Sequence, residues 1–227
     1  MNFNDHSNLR GLHAVFGASQ SSWLRYSPEK MREAIISVYR KALGTEIHGF
    51  AFTEISLNHK YTTVKQVKQG IESYIFNKYY SEDHGCLSEQ GRKLLYFMKE
   101  LPNVVYETVK IYINDCVGYR MTPEQPLEYS KLFFGTSDAI CFRGNFLRIH
   151  DLKTGSVPVH IEQLLVYTAL FCIEYKIKPG DIQIELRIYQ NGEVLFHNPK
   201  AEEILPIMDK IISDNKYLSD LSDEEKV

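Results

Sequence analysis

Three charged side chains lie close together in the stretch GTSDAICFRGNFLRIHDLKTG, residues 135–155. Asp151 and Lys153 are two residues apart in a segment typical of a strand, so their side chains lie on the same face. The turn signal at Gly144-Asn145 predicts a hairpin that brings Asp138 and Asp151 together near its open end. Carboxylates are hard oxygen ligands for Mg²⁺ or Mn²⁺. A lysine beside them can orient or deprotonate a water and stabilise charge that develops on a phosphate.

Two polar side chains follow on a helix that is otherwise apolar. Gln163 and Tyr167 have i, i+4 spacing, which places both on one face of a helix predicted over 159–175. A buried amide and a buried phenol need hydrogen-bond partners, which a neighbouring site could supply. A plain hydrogen bond between the helix and the sheet explains the pair equally well, so both interpretations stay open.

The elements that must position these residues fall into two halves. In the first half, capping signals and helical apolar spacing predict four helices, which begin at Ser27-Pro28 and cover about 44–55, 63–79 and 88–101. The next segment, 103–117, fits either a helix or a strand. Beyond Pro123, β-branched and aromatic runs predict strands at 127–130, 136–142, 146–153, 182–189 and 194–196. A further helix is predicted over 201–213.

This order predicts an α/β protein with a mixed central β-sheet flanked by helices and a helical N-terminal half. No linker rich in Pro, Gly or Ser separates the halves, so a single domain over 1–227 is expected. Its parts are a helical region over about 1–120, a core over about 121–198, and a C-terminal helix with an acidic tail over 199–227. From Lys216 onward the tail is expected to be frayed.

Composition excludes several classes of protein. Of the 227 residues, 44% are hydrophobic and 24% are charged, which is typical of a globular domain and not of a disordered chain. No apolar run is long enough to span a bilayer, so no membrane partner is expected. The start MNFNDHSNLR lacks the apolar region of a signal peptide, and the four cysteines form no C-x-x-C pair. These features predict a cytoplasmic protein with reduced thiols.

Charge is unevenly distributed along the chain. The formal net charge is −3, yet residues 1–80 hold 10 basic against 6 acidic side chains. The segment 200–227 holds 4 basic against 8 acidic side chains. Because local fields matter more than the total, mild overall acidity is compatible with a nucleic-acid partner. Lys60, Lys65 and Lys68 are candidates to line a DNA path, although a solvated helix face is the commoner explanation for such a run.

The candidate residues together resemble the RecB-type branch of the PD-(D/E)XK nuclease superfamily. GTSD, DLKTG and QLLVY are close to that branch's usual GT-x-D, D-x-K-T-G and Q-L-x-x-Y. LGTEIHGFA, residues 43–51, resembles its upstream helix with a metal-binding histidine. HSNLRGLHAVFGASQSSWLRY, residues 6–26, resembles the start of phage-encoded nucleases of this branch. The resemblance spans about residues 6–189 and implies a restriction-endonuclease-like core.

The resemblance also implies a ligand set for a divalent metal, Mg²⁺ or Mn²⁺. On this basis His48, Asp138 and Asp151 bind the metal, and the backbone carbonyl of Leu152 is a further ligand. Glu124 and Glu128 are rivals for the acidic residue that precedes the first core strands.

Three further side chains take roles from the same resemblance. Lys153 corresponds to the catalytic lysine, while Gln163 and Tyr167 shape the site or touch the DNA. The segment YQNG at the end of the strand 182–189 departs from the basic sequence expected in phage relatives, which puts DNA contacts there in doubt.

The implied function is a metal-dependent DNA nuclease, with exonuclease action on duplex ends in phage recombination or replication as the first expectation. Its partners would be DNA and a recombination or replication protein, in the host cytoplasm. The alternatives are a structure-specific endonuclease, an enzyme acting on RNA, or a catalytically silent DNA- or protein-binding module on the same fold. The sequence leaves the oligomeric state open.

Overall fold

The computed structural model describes residues 4–11 and 13–224, so Leu12 and the two chain ends within the predicted domain lie outside the described residues. The described part forms six α-helices, a five-stranded mixed sheet and a two-stranded sheet. The helices are α1 (Pro28–Ser56), α2 (Val64–Tyr79), α3 (Glu89–Lys99), α4 (Asn103–Gly118), α5 (Glu162–Glu174) and α6 (Ala201–Glu224). The strands are β1 (Tyr80–Ser81), β2 (Cys86–Leu87), β3 (Thr122–Ser130), β4 (Phe133–Arg143), β5 (Phe146–Leu152), β6 (Gln183–Gln190) and β7 (Glu193–His197). The predicted α/β class with a helical N-terminal half is confirmed.

Helix α1 is one helix of 29 residues, so the prediction of two helices separated near Gly44 is wrong. Its start is as predicted, because the Ser27 side chain accepts a hydrogen bond from the Lys30 backbone and Pro28 occupies the first turn. A glycine inside a helix costs only about 1 kcal/mol relative to alanine. The helix therefore continues through Gly44, where the missing side chain permits a close approach of Thr154.

The next helix starts are also confirmed. Thr63 and Gln66 form a capping box at α2, and the Ser88 side chain caps α3 by accepting from the Gly91 backbone. The segment that fitted either a helix or a strand is helix α4. Its buried residues pack in the helical layer against one face of the sheet, where their helical spacing forms a continuous contact surface.

The central sheet has the order β3-β4-β5-β6-β7. Strands β5 and β6 pair in parallel, joined across α5, and every other neighbouring pair is antiparallel. Gly144 turns the β4–β5 hairpin with a φ of 61°. Asn191 and Gly192 have φ values of 53° and 79°, which is the backbone of the predicted type I′ turn. The mixed sheet is thus as predicted.

Each face of the sheet packs against a different set of helices. Helices α1 to α4 cover one face, while α5 and α6 cover the other. Strand β6 is buried on both faces, so its predicted half-exposure is wrong, because α4 also covers the residues that alternate with the apolar ones. None of the helices among the described residues combines the length and apolarity needed to cross a membrane.

Helix α6 extends to Glu224, so the frayed tail expected from Lys216 is wrong for that portion. One contact with β3 and one within the helix stabilise α6 beyond its predicted end at residue 213. Asn215 accepts a hydrogen bond of 2.6 Å from the Ser130 hydroxyl at the end of β3. Lys210 and Asp214 form an i, i+4 ion pair of 2.7 Å.

Candidate metal centre

The β4–β5 hairpin brings the two predicted aspartates together. The end pair of the β4–β5 register, Ala139 with His150, is adjacent to Asp138 on one strand and Asp151 on the other. The carboxylate oxygen Oδ2 of Asp138 accepts a hydrogen bond of 2.8 Å from the backbone N–H of Leu152. This bond fixes the Asp138 carboxylate at the open end of the hairpin.

Two further side chains reach the Asp138 carboxylate from other elements. His48 on α1 has its Nδ1 atom 3.5 Å from Asp138 Oδ2. Glu124 on β3 lies between Pro123 and Gln125, which pair with the two neighbours of Asp138 on β4. One ligand atom from each of His48, Glu124 and Asp138 lies within 4.8 Å of the others. We call these three residues the acidic cluster.

Glu128, the rival of Glu124 in the sequence, lies elsewhere. It pairs with Phe134 on β4, and its backbone N–H donates to the side chain of Glu174 on α5. Glu124 has a φ of 49°, the left-handed region that non-glycine residues seldom adopt. Such backbone strain costs about 1–3 kcal/mol and concentrates at functional sites. The geometry therefore brings Glu124, and not Glu128, to the cluster.

A hydrogen-bonded chain of side chains extends from Asp151 across to α5. The ammonium of Lys153 lies 3.0 Å from Asp151 and 3.1 Å from Gln163 Oε1. The amide of Gln163 in turn donates to the hydroxyl of Tyr167 at 3.1 Å. Of the predicted i, i+4 pair on α5, Gln163 thus contacts the lysine directly and Tyr167 contacts Gln163. We call these four residues the lysine chain.

The Asp151 carboxylate has a hydrogen-bond donor for one of its two oxygens. Lys153 is 3.0 Å from both of its oxygens, but only Oδ1 is in hydrogen-bonding geometry with the ammonium. Its buried Oδ2 has no hydrogen-bond partner among the described residues. A buried carboxylate oxygen without a donor is costly unless a cation or water completes its shell.

Burial raises the pKa of each carboxyl in the site, and the charge of Asp138 raises it further for Asp151 and Glu124. Burial, and then the charge of Asp138, raises the pKa of Asp151 to about 6. Burial raises the pKa of Asp138, and burial with the charge of Asp138 raises the pKa of Glu124. Negative charge in this site is therefore unfavourable without an added cation.

Burial lowers the pKa of His48, although Asp151 and Glu124 act in the opposite direction. A hydrogen bond to the Leu152 backbone also raises it slightly, which places that backbone beside the imidazole. Neutral imidazole is the form that coordinates metals.

These residues fit a divalent cation. The cluster offers one imidazole nitrogen and two carboxylate groups within reach of one another, and the neighbouring Asp151 has an oxygen without a donor. Carboxylate oxygens suit Mg²⁺ and Mn²⁺, and an imidazole nitrogen favours Mn²⁺ of the two. Asp151 lies beside this cluster, paired with Lys153, while Glu124 is the third side chain within it.

Two glycines permit the close packing around the site. A Cβ atom on Gly135 would lie 2.8 Å from the ring of Tyr167, so the glycine of GTSD makes room for the end of the lysine chain. A Cβ atom on Gly44 would lie 3.0 Å from the hydroxyl of Thr154, directly after Lys153. Gly44 is one helical turn before His48, so this contact fixes the distance between α1 and the end of β5.

One residue of the site region was missed by sequence reasoning. The Gln190 side chain, in the segment YQNG, donates to the carbonyls of Gly155 and Val157 at 2.6 and 2.8 Å. It thereby holds the loop that follows Lys153. A glutamine at a strand end has no sequence signal for this role, because its partners are backbone atoms distant in the chain.

Two of the candidate lysines of the helical half have neighbours that do not belong to the acidic cluster. Lys68 lies 5.5 Å above the ring of Tyr106, and Lys60 lies near Gly118 at the end of α4. Among the described residues, none of Lys60, Lys65 and Lys68 forms an ion pair in this structure. Their place on a DNA path stays a prediction.

The fold and site together define a mixed α/β domain with an acidic cluster at the open end of a β-hairpin. A family model described as a protein of unknown function (DUF2800) matches residues 13–191, and the chain belongs to this family. The matched segment contains the acidic cluster, the lysine chain and Gln190, and it ends before α6. No curated protein and no solved structure matches the chain.

Proposed function

We propose that this protein is a divalent-metal-dependent deoxyribonuclease that hydrolyses phosphodiester bonds. The observation that supports the proposal best is that two arrangements lie side by side. One is the cluster of His48, Glu124 and Asp138, and the other is Lys153, which is held by Asp151. A cation site adjacent to a fixed ammonium is suited to a reaction in which negative charge develops on a phosphate. The resemblance of GTSD, DLKTG and QLLVY to the RecB-type motif supports the same chemistry.

Each residue has a distinct task in this mechanism. His48, Glu124 and Asp138 would hold the cation, with Asp151 supplying its free oxygen toward the same site. When bound, the cation acts as a Lewis acid and lowers the pKa of a coordinated water. Lys153 is oriented by Asp151 and Gln163, so its ammonium can orient the attacking water and donate to the phosphate oxygen. Tyr167 fixes the amide of Gln163 and so the direction of the lysine.

Duplex ends are the proposed substrate, in line with the resemblance to phage-encoded exonucleases. The test compares linear and circular duplex DNA of the same sequence, each with Mg²⁺, with Mn²⁺ and with a chelator. Degradation of the linear form alone, dependent on metal, is the expected result. Cleavage of both forms would instead indicate an endonuclease.

The matched control is Asp138→Asn, which keeps the side-chain size and an oxygen acceptor for the Leu152 backbone. Cleavage at the wild-type rate in this variant would contradict the proposed site. Metal-dependent binding of DNA without cleavage by the wild-type protein would favour the silent binding module and refute the proposal. Cleavage of RNA in preference to DNA would reassign the substrate.

A further inference from the structure

A groove of about 920 Å³ runs along helix α1 and ends at His48, the member of the acidic cluster that lines it. One wall is a stripe of α1 that ends at His48, and the opposite wall includes segment 154–157, which follows Lys153. Side chains of the α3–α4 connection, 100–102, close one side. The groove therefore reaches the candidate metal centre at His48.

The stripe of α1 carries positive charge away from the metal centre. Arg40, Lys41, Gly44 and His48 follow helical spacing, so they lie along one face. Arg40 is eight residues before His48, about 12 Å along the axis at 1.5 Å per residue. Both Arg40 and Lys41 are exposed, and neither forms an ion pair within residues 4–11 and 13–224.

The rest of the lining suits an extended polyanion with aromatic groups. Glu100 is the single carboxylate among the described lining residues, against the two cations of α1. Phe97 also lines the groove, half-buried and stacked on Tyr39 with ring centroids 5.1 Å apart. A positive groove that contains an aromatic ring is the arrangement that binds single strands without sequence preference.

The wall opposite α1 is held in place before any ligand binds. The two hydrogen bonds from Gln190 to the carbonyls of Gly155 and Val157 tie that loop to the end of β6. Gly44 allows α1 to approach Thr154 of the same loop. A groove with both walls fixed loses little conformational entropy when a ligand enters.

We infer that this groove binds a single-stranded segment of DNA, with its phosphates on Arg40 and Lys41 and one end at the acidic cluster. The inference rests on the proposed function, because it takes DNA as the ligand. The groove volume lies within the roughly 300–1,000 Å³ of sites for small organic ligands. A few nucleotides of one strand fit such a space, whereas a duplex does not. The preferred substrate is therefore a duplex with a single-stranded tail.

The test measures binding in Ca²⁺, without Mg²⁺ or Mn²⁺, to fluorescent duplexes that are blunt or carry three-nucleotide 5′ or 3′ tails. We expect the wild-type protein to bind one tailed form about tenfold more tightly than the blunt form, as one stacked base and added phosphate contacts predict. The double variant Arg40→Gln with Lys41→Gln should abolish this preference. Its slope of log affinity against log salt should fall by about 1.4, since each single-strand phosphate contact contributes about 0.7.

The matched control is Arg32→Gln, an exposed cation on the same helix outside the groove. It should keep the tail preference and the salt slope of the wild-type protein. Equal wild-type affinity for blunt and tailed DNA would overturn the inference, and so would an equal loss in Arg32→Gln. An unchanged slope in the double variant would also overturn it, even with metal-dependent cleavage intact. A tail preference that depends on Arg40 and Lys41 without any cleavage in Mg²⁺ would refute the nuclease and leave the groove assigned.

Discussion

Strand β5 separates two polar clusters that differ in how their charges are compensated. On the side of α4, Arg187 donates to Asp115 at 3.0 Å and contacts Glu185 at 2.9 Å. Arg187 also donates to the Tyr119 hydroxyl, and Arg148 donates to Glu185 at 3.0 Å. We call these five residues the arginine network. Two guanidinium groups there face two carboxylates, so the charges balance within the protein.

The acidic cluster, at the open end of the β4–β5 hairpin, is unbalanced. Glu124, Asp138 and the adjacent Asp151 are accompanied by the single ammonium of Lys153, and the pKa of each of these carboxyls is raised. Two histidines show the same contrast between a buried structural position and the acidic cluster. Burial lowers the pKa of His150 to about 3, and its imidazole contacts Tyr189 and Cys116 in the interior, whereas His48 reaches the cluster half-exposed.

This difference is the one expected between a structural cluster and the proposed metal site. A balanced buried network stabilises the native state only if all its partners remain, and breaking it is costly. An unbalanced cluster destabilises the metal-free protein and gains stability when a cation binds. Substitutions in the two clusters should therefore have opposite effects on stability and on activity.

The largest expected effect is on cleavage by Asp138→Asn. Replacement of a group that only orients a metal ligand typically costs 10–100-fold, so loss of a direct ligand should lower the cleavage rate by more than about 100-fold. The metal-free protein should be no less stable, because one of several like charges is removed. Single-turnover cleavage and thermal unfolding check both expectations. Wild-type cleavage by this variant would remove Asp138 from the site.

The second expectation concerns Lys153→Ala, which should lower the cleavage rate by about 10²–10⁴-fold, the usual contribution of a positioned proton-transfer group. Binding of Ca²⁺ should persist, because the lysine is not a ligand. Lys153→Arg should restore little, since a guanidinium is bulkier and cannot take the place of the ammonium between Asp151 and Gln163. Rapid-quench cleavage is measured beside DNA binding in Ca²⁺. An equal loss of binding and cleavage would contradict a role in the chemical step.

The third expectation is a loss of stability, with the metal response retained, when the arginine network is broken. Arg187→Leu leaves Asp115 and Glu185 without their shared cation, so the free energy of unfolding should fall by about 3–5 kcal/mol. The rise in melting temperature with Mn²⁺ should remain. Lys93→Leu, which breaks the exposed pair with Glu89, is the control and should change stability far less. Loss of the Mn²⁺ response with unchanged stability would show that the two clusters are not separate.

The fourth expectation is a pH dependence of the metal-free protein. A carboxyl whose folded pKa is raised contributes stability that is present below its unfolded pKa, near 4, and is lost as pH rises through the folded value. For Asp151, with a folded pKa of about 6, the loss falls between about pH 4 and 6 and is at most roughly 3 kcal/mol. Asp151→Asn should flatten this part of the stability curve in chelator, measured by urea unfolding. An unchanged curve would contradict the raised pKa.

The smallest expected effect is on metal affinity in His48→Ala. Loss of one neutral ligand should weaken Mn²⁺ binding by about tenfold and Mg²⁺ binding less, because imidazole suits Mn²⁺ better. The rise in melting temperature with each metal measures this. His59→Ala, which removes an exposed histidine near the end of α1, is the control. If the melting temperatures of both variants rise equally with each metal, His48 has a structural role only.

The sequence contained enough information for the hairpin and the lysine chain, because these depend on local rules. The period of two along β5 determines which face Asp151 and Lys153 share, and the turn at Gly144 determines their partner strand. The i, i+4 spacing of Gln163 and Tyr167 determines their common face on α5. In each case the residues lie on one element or on two elements that follow each other in the chain.

The remaining features depend on contacts between distant parts of the chain. The choice of Glu124 over Glu128 follows from the register of β3 on β4, which places Glu124 beside Asp138 and Glu128 beside Phe134. The continuity of α1 through Gly44 and the clamp by Gln190 depend on a neighbouring loop. Arg187 and Asp115 are 72 positions apart, so their pairing is a property of the packed sheet and α4.

The close approach of Gly44 to Thr154 has a consequence for how this sequence can diverge. The Cβ atom of a side chain at position 44 would lie 3.0 Å from the Thr154 hydroxyl, so this hydroxyl or α1 must shift slightly, and His48 is one turn further along the same helix. The two positions are therefore expected to vary together among homologous proteins. An alanine at 44 should accompany a smaller residue at 154, whereas either change alone should be rare wherever His48 and Asp138 are both retained.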